Sequence, residues 1–195
     1  MRLFGRGGGA LRRRQSVAET WWRQRVRLGL PLGIVYVVLA RPGPHALEIG
    51  GAIALVGLGL RAVSAGHLRK NAALATSGPY AATRNPLYLG SLLIAFGFLI
   101  AGRSLLADAL AAVYFAAFYH FAIAQEEDKL HARFGASFED YAARVPRLWP
   151  RPWRGAGPGS ARFSWRLYWR NREYQAALGF VMGIAVLWLK MHFRA

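Results

Sequence analysis

Two short stretches of this chain concentrate side chains able to bind and orient a charged small molecule. The first runs from His67 to Ser91, HLRKNAALATSGPYAATRNPLYLGS. Within it Ser77-Gly78-Pro79-Tyr80 reads as a tight turn. Asn85-Pro86 reads as a helix start, with asparagine at the N-cap and proline at the first helical position. A helix start leaves backbone N–H groups unpaired and favours an anionic group, and Arg84 beside it adds a fixed positive charge. The second stretch is Glu126-Glu127-Asp128. Carboxylates there can pair with local arginines or accept hydrogen bonds from the hydroxyls or amine of a ligand. Taken singly, the first stretch also reads as a capped helix with a snorkelling arginine, and the second as a solvated acidic face.

The segment after the acids, FGASFEDYAARVPRLWP, predicts a short amphipathic helix followed by an extended exit. Tyr141 and Arg144 are three residues apart and are expected on one face. Arg144 offers a planar fork for a carboxylate or phosphate. His120 lies inside an apolar run, where an ionisable group is a functional candidate, although a hydrogen bond between helices explains it equally well. Glu48 and Asp108 fall at the ends of apolar runs and read as interfacial anchors. The five histidines, His45, His67, His120, His131 and His192, sit on separate segments without ligand spacing, so no metal site is expected.

The elements that must position these residues are apolar. The 195 residues are 54% hydrophobic yet carry a formal net charge of +17, with a mean hydropathy of +0.19. That combination fits apolar spans alternating with basic loops. The arginines cluster between apolar runs, which argues for loops beside an anionic membrane surface rather than for nucleic-acid binding. With no cysteine, disulfides, thiolate nucleophiles and cysteine metal sites are excluded. Five apolar runs follow in order: Val26 to Ala40, Ala46 to Ala65, Leu87 to Ala101, Leu105 to Ala124 and Tyr174 to Met191. A span needs about 20 residues. The second, fourth and fifth meet that length, and flanking aromatics and arginines extend the first and third. Gly102-Arg103 predicts a tight turn that makes spans three and four a helical hairpin.

Lysine and arginine crowd the region before the first run, the 66–86 loop and the 125–173 segment, which predicts that all three lie on the cytoplasmic side. The last helix is expected either to span or to lie in the interface, because Lys190 and Arg194 oppose an outside C-terminus. The expected division is a basic leader over 1–25, a membrane domain over 26–150, and an arginine- and tryptophan-rich segment with a final apolar helix over 151–195. The fold class is therefore all-α integral membrane, in an inner or plasma membrane, with about five transmembrane helices.

SGPYAATRNPLYLGS followed by EEDKLHARFGASFEDYAARVPRLWP resembles the isoprenylcysteine carboxyl methyltransferase family. Each piece is weak alone, but their order and the hairpin between them are specific. The likeness covers Ser77 to Pro150. Asn-Pro-x-Tyr-x-Gly-Ser also resembles phosphatidylethanolamine N-methyltransferases, and Asn85 stands where the isoprenylcysteine family has histidine. The resemblance implies S-adenosyl-L-methionine as methyl donor, a cofactor site at the cytoplasmic face, and a lipid-like or isoprenylated acceptor admitted from the membrane lipids. It places His67, Tyr80, Arg84, Asn85, Tyr88, Glu126 and Glu127 around the cofactor, with Arg144 on the substrate side and Arg144 and Glu127 as the residues closest to the chemistry. Carboxyl O-methylation is the leading expectation. The alternatives are phospholipid N-methylation, an NADPH-dependent sterol-reductase-like activity, or a non-enzymatic membrane protein.

Overall fold

A computed structural model describes residues 29–70, 72–151 and 162–193, and all regular structure among them is helical. The basic leader over 1–25 and part of the arginine-rich segment lie outside the described residues. Helix α1 is described over Gly29–Leu39. It is followed by α2 (Pro44–His67), α3 (Pro86–Gly102), α4 (Leu105–Phe134), α5 (Ala136–Arg144), α6 (Trp165–Arg170) and α7 (Tyr174–Phe193), with one 3-10 turn at Gly78–Ala81.

Three of these, α2, α4 and α7, are long and apolar enough to cross a membrane, whereas α1 and α3 are shorter apolar helices. The predicted runs and the helices agree closely. The hairpin turn is present at Arg103, whose left-handed backbone (φ 49°) returns its N–H to Leu99 O. Ser104 then caps α4 by accepting from the Ala107 N–H.

Lipid tails are as apolar as leucine, so helices in a bilayer gain little from hydrophobic burial and associate through close backbone approach at small residues. The α2–α3 interface is built this way. A Cβ placed on Gly50 would stand 2.3 Å from Gly97 O, and one on Gly57 would stand 2.6 Å from Gly90 O. Ala54 and Ala101 are fully buried in the same seam.

The two ends of the bundle differ. At one end Arg41 N donates to Gly102 O, and Ala40, Ala101 and Leu187 form a small buried core with Tyr36, Leu47 and Phe98 against it. At the other end the C-terminus of α2, the N-terminus of α3, the end of α4 and the start of α7 converge. Helix α7 begins at this second end, where Asn171 Nδ2 donates to Ala65 O and Leu68 O at 2.9 Å each. It finishes at the first, where the Lys190 ammonium bonds Val37 O and Val38 O. The last helix therefore runs the height of the bundle, and its lysine satisfies carbonyls at the end of α1.

Helix α4 has 30 residues, about 45 Å at 1.5 Å per residue, against a hydrocarbon core of about 30 Å. About a third of the helix is therefore in excess of what a span requires, and Glu126 and Glu127 fall in its last third. Gly135, at φ 50°, turns the chain into α5. Across that turn His131 Nε2 meets Glu139 Oε1 at 2.6 Å.

Candidate active site

The two loops expected on one face lock together residue by residue. Arg84 N donates to Pro146 O at 2.9 Å and Arg151 N to Ala82 O at 3.2 Å. Thr83 Oγ1 donates to Leu148 O at 3.0 Å, and Asn85 Nδ2 donates to Arg147 O at 2.9 Å. Tyr141, buried on the inner side of α5, donates its hydroxyl to Tyr80 O at 2.7 Å. Asn85 is the N-cap of α3 and Pro86 follows, as expected, but the asparagine side chain serves the neighbouring loop instead of capping the helix.

Glu127 sits at the centre of this lock. Its Oε1 lies 3.1 Å from Arg84 Nη2 and its Oε2 lies 3.2 Å from Arg147 Nε, the latter an ion pair without hydrogen-bond alignment. Asn85 Nδ2 adds a long contact of 3.5 Å to the same carboxylate. Glu127 is 18% exposed and Arg84 15%. The Arg84 Nε is buried and has no hydrogen-bond partner among the described residues. Burial raises the hydroxyl pKa of Tyr80, with Tyr141, Glu126 and Glu173 adding to the rise and Arg61 opposing it. Burial raises that of Tyr141 too, against a lowering by Arg84. Both phenols are therefore neutral donors at any physiological pH.

Beside the lock opens a cavity of about 1570 Å³. Pockets for a single small molecule are roughly 300–1,000 Å³, so this one has room for two ligands. Its mouth is lined by Tyr80, Arg84, Asn85, Glu126, Lys129 and Arg133 at the loop end, and its depth by Tyr36, Phe98, Leu99, Tyr114 and Leu187 toward the opposite end. Seven basic and two acidic side chains line it, a formal charge of +5.

Of the residues singled out from the sequence, Tyr80, Arg84, Asn85, Tyr88 and Glu126 line this cavity. Tyr88 packs edge-on to Tyr119 at 5.4 Å. Glu127 stands one layer behind, holding Arg84. His67 also lies outside the lining: its Nδ1 meets Val63 O at 2.8 Å, and its ring fills the space above Gly78 and beside Phe163. Arg144 is exposed outside the cavity, with Nε donating to Asp140 O at 3.0 Å. The face expected to carry Tyr141 and Arg144 together ends between them, because α5 buries only its Phe138 and Tyr141 side. His120 is exposed on α4, with its ring against Phe121.

Sequence reasoning missed three charged residues. Arg147 is one of several arginines in a basic tail, and nothing in its spacing marks it. Arg61 lies inside the second apolar run, and Glu173 stands immediately before the last. A charge embedded in or abutting a span is itself a signal. The two meet across 112 positions of sequence, with Arg61 Nε 2.5 Å from Glu173 Oε1.

The family model described as phospholipid methyltransferase matches residues 49–137. The matched stretch spans most of α2, all of α3 and α4, and the start of α5. It includes Arg61, Arg84, Glu126 and Glu127 and excludes Arg147 and Glu173. The match is thus to the phospholipid methyltransferases, a class of membrane methyltransferase, and does not single out the isoprenylcysteine branch. Two curated proteins are similar. The cobalt-zinc-cadmium resistance protein CzcN of Cupriavidus metallidurans is 41% identical over 83 residues, 43% of this chain and 38% of that one. The nickel-cobalt-cadmium resistance protein NccN of Alcaligenes xylosoxydans xylosoxydans is 35% identical over 112 residues, 53% of this chain and 52% of that one. The chain therefore spans about half the length, or less, of the curated relatives it matches. No solved structure matches.

Proposed function

We propose that this protein is a membrane methyltransferase that uses S-adenosyl-L-methionine to methylate a lipid-like acceptor, with carboxyl O-methylation as the leading reaction and the site at the cytoplasmic face. The observation that carries this reading is a continuous cavity with a polar, arginine-bearing mouth and an apolar depth. It can take a polar cofactor at one end and an alkyl tail at the other.

The donor set fits the cofactor. Arg84, which lines the cavity, and the positive end of α3 suit its carboxylate. Glu126, exposed at the mouth, suits its ammonium or ribose hydroxyls. Tyr80 and Tyr88 supply the walls. When bound, the cofactor supplies an electrophilic methyl group on a sulfonium. A carboxylate acceptor loses no proton on methylation, so no general base is required. The task of the chain is alignment and exclusion of water. Glu127 acts in this reading as a positioning residue that fixes the Arg84 guanidinium against α3, and His67 buttresses the turn that carries Tyr80. Arg144, on the exposed face of α5, is proposed to meet the acceptor only on its way in.

A phospholipid amine is the second reading, and the family match favours it. The basic lining suits an anionic group on the acceptor, which a carboxylate presents directly and a phospholipid amine presents through its phosphate. The names of the two relatives concern metal resistance. Among the described residues no three His, Cys, Asp or Glu side chains group to hold a metal ion, so we place any such role in modification of a membrane molecule. The test is titration calorimetry with S-adenosylhomocysteine in lipid nanodiscs. Wild type is expected to bind and Arg84→Gln to lose about tenfold or more in affinity, as for one charged hydrogen-bond partner removed. Absence of binding by the wild type sinks the reading.

A further inference from the structure

A second polar cluster lies deeper in the cavity than the arginine-glutamate lock. Arg61 sits six residues before the end of α2, about 9 Å below it, where an unpaired charge is costly. Its Nε bonds Glu173, its Nη1 bonds the Ser91 hydroxyl, and Nη1 also reaches Leu87 O at 3.4 Å. This arrangement leaves Nη2 with no hydrogen-bond partner among the described residues. Arg61, Ser91 and Glu173 all line the cavity. Glu173 is 5% exposed and is delivered by the turn that Asn171 pins to the end of α2.

The position of the cluster along the cavity decides what it can hold. Toward the mouth, Tyr80 lines the same cavity within electrostatic reach of Glu126, Glu173 and Arg61, so the cluster adjoins the proposed cofactor end. Toward the depth, Leu99 lies eight residues beyond Ser91 on α3, about 12 Å further, and the walls there are Tyr36, Phe98 and Leu187. A ligand with one charged end at Arg61 would therefore lay its tail along the apolar walls. The net charge of the lining selects an anion for that end. Glu173 already neutralises one edge of the guanidinium, and the remaining edge is a donor awaiting an acceptor.

We propose that Arg61 anchors the anionic end of an amphiphilic acceptor, and that Glu173, contributed by the turn before α7 and outside the matched family segment, competes with that anion for the same guanidinium. The assignment rests on the methyltransferase reading only in calling the ligand an acceptor. Glu173 thereby sets specificity: it holds Arg61 in place when the acceptor is absent and lowers affinity for weak anions.

Two spin-labelled probes in phosphatidylcholine nanodiscs test this, doxyl-stearate and the corresponding doxyl-stearylamine, with the protein-immobilised fraction read by electron paramagnetic resonance. Wild type is expected to immobilise the stearate at least about tenfold more strongly than the amine, the effect of one additional charged hydrogen bond. Arg61→Gln should abolish that preference. Arg61→Lys, which keeps the charge but not the fork, should fall between. Glu173→Gln should strengthen stearate binding severalfold, a sign that a purely structural pair would not give. No preference in the wild type, or a loss with Glu173→Gln equal to that with Arg61→Gln, overturns the proposal. Calorimetry with S-adenosylhomocysteine on the same samples reads the other end. Its failure alone removes the methyltransferase reading and leaves the anion site standing.

Discussion

Substituting Glu127 with glutamine keeps the shape of the side chain and one acceptor oxygen but deletes the charge between Arg84 and Arg147. The consequence can be bounded from the geometry. Exposed ion pairs are worth up to about 1 kcal/mol, whereas breaking a buried one costs about 3–5 kcal/mol. Glu127 and Arg84 are 18% and 15% exposed at 3.1 Å, while Arg147 is 37% exposed at 3.2 Å. The Arg84 pair therefore falls toward the buried end and the Arg147 pair near the surface value, for a loss of about 2–3 kcal/mol. The two arginines, left facing each other, should move apart and take the 146–148 segment away from α3. We expect Glu127→Gln to lower the thermal unfolding temperature in detergent and to weaken S-adenosylhomocysteine binding by about tenfold or more. Glu127→Gln combined with Arg147→Gln should recover part of the stability, because one of the stranded cations is gone. If Glu127→Gln changes neither quantity, or the second substitution only adds damage, the carboxylate is not what joins the two loops.

Further outcomes follow from the packing and from the buried phenols. Gly57→Ala places a methyl 2.6 Å from Gly90 O and should cost stability, whereas a methyl at Gly59 would meet nothing within 4 Å beyond its own helix, and Gly59→Ala should gain up to about 1 kcal/mol of helix propensity. Paired unfolding curves in one detergent would show the opposite signs. Tyr141→Phe removes the 2.7 Å bond to Tyr80 O and should cost about 1 kcal/mol. The phenol pKa values of Tyr80 and Tyr141 are raised in the fold, chiefly by burial. Their contribution is thus fully present below the unfolded value of about 10 and is lost as pH rises above it. Stability measured from about pH 8 to 11 should fall beyond about pH 10, and less steeply in Tyr141→Phe.

Much of the frame was legible because hydropathy and turn chemistry are local. The apolar run Ala46 to Ala65 predicts the second helix, which spans Pro44–His67. The Gly102-Arg103 turn follows from backbone preferences that one or two residues express. The joining of the 77–91 and 126–127 stretches was legible too, because the bias of basic loops put both on one side. Long-range partnership was not. Nothing about Glu173 announces Arg61, and nothing about Arg147 distinguishes it from Arg144, which has the same chemistry three positions earlier but points to solvent. Arg144 closes α5 on its exposed face, whereas Arg147 lies beyond the helix in the segment that Asn85 holds through the Arg147 carbonyl. Lys190, by its charge alone, argues against a last helix that runs the bundle's full height. It proves compatible because the ammonium finds the carbonyl oxygens that end α1.

The glycine seam between α2 and α3 has a mechanical consequence. Two helices whose backbones approach this closely at Gly50–Gly97 and Gly57–Gly90 have little compliance normal to their interface. They form one stiff wall, which carries Arg61 on α2 and takes up the chain from Arg84 at the entry to α3. Helices α4 and α7 touch the rest less continuously, α7 through the buried Leu187 and through Gly183 against Phe98, and both leave large apolar side chains exposed. A bulky amphiphile entering from the bilayer must therefore displace the α4 or α7 side, and the polar groups on the stiff wall keep their spacing while it does so. Membrane thickness and lateral pressure would then tune how readily the cavity fills, without altering the spacing of the groups that hold its contents.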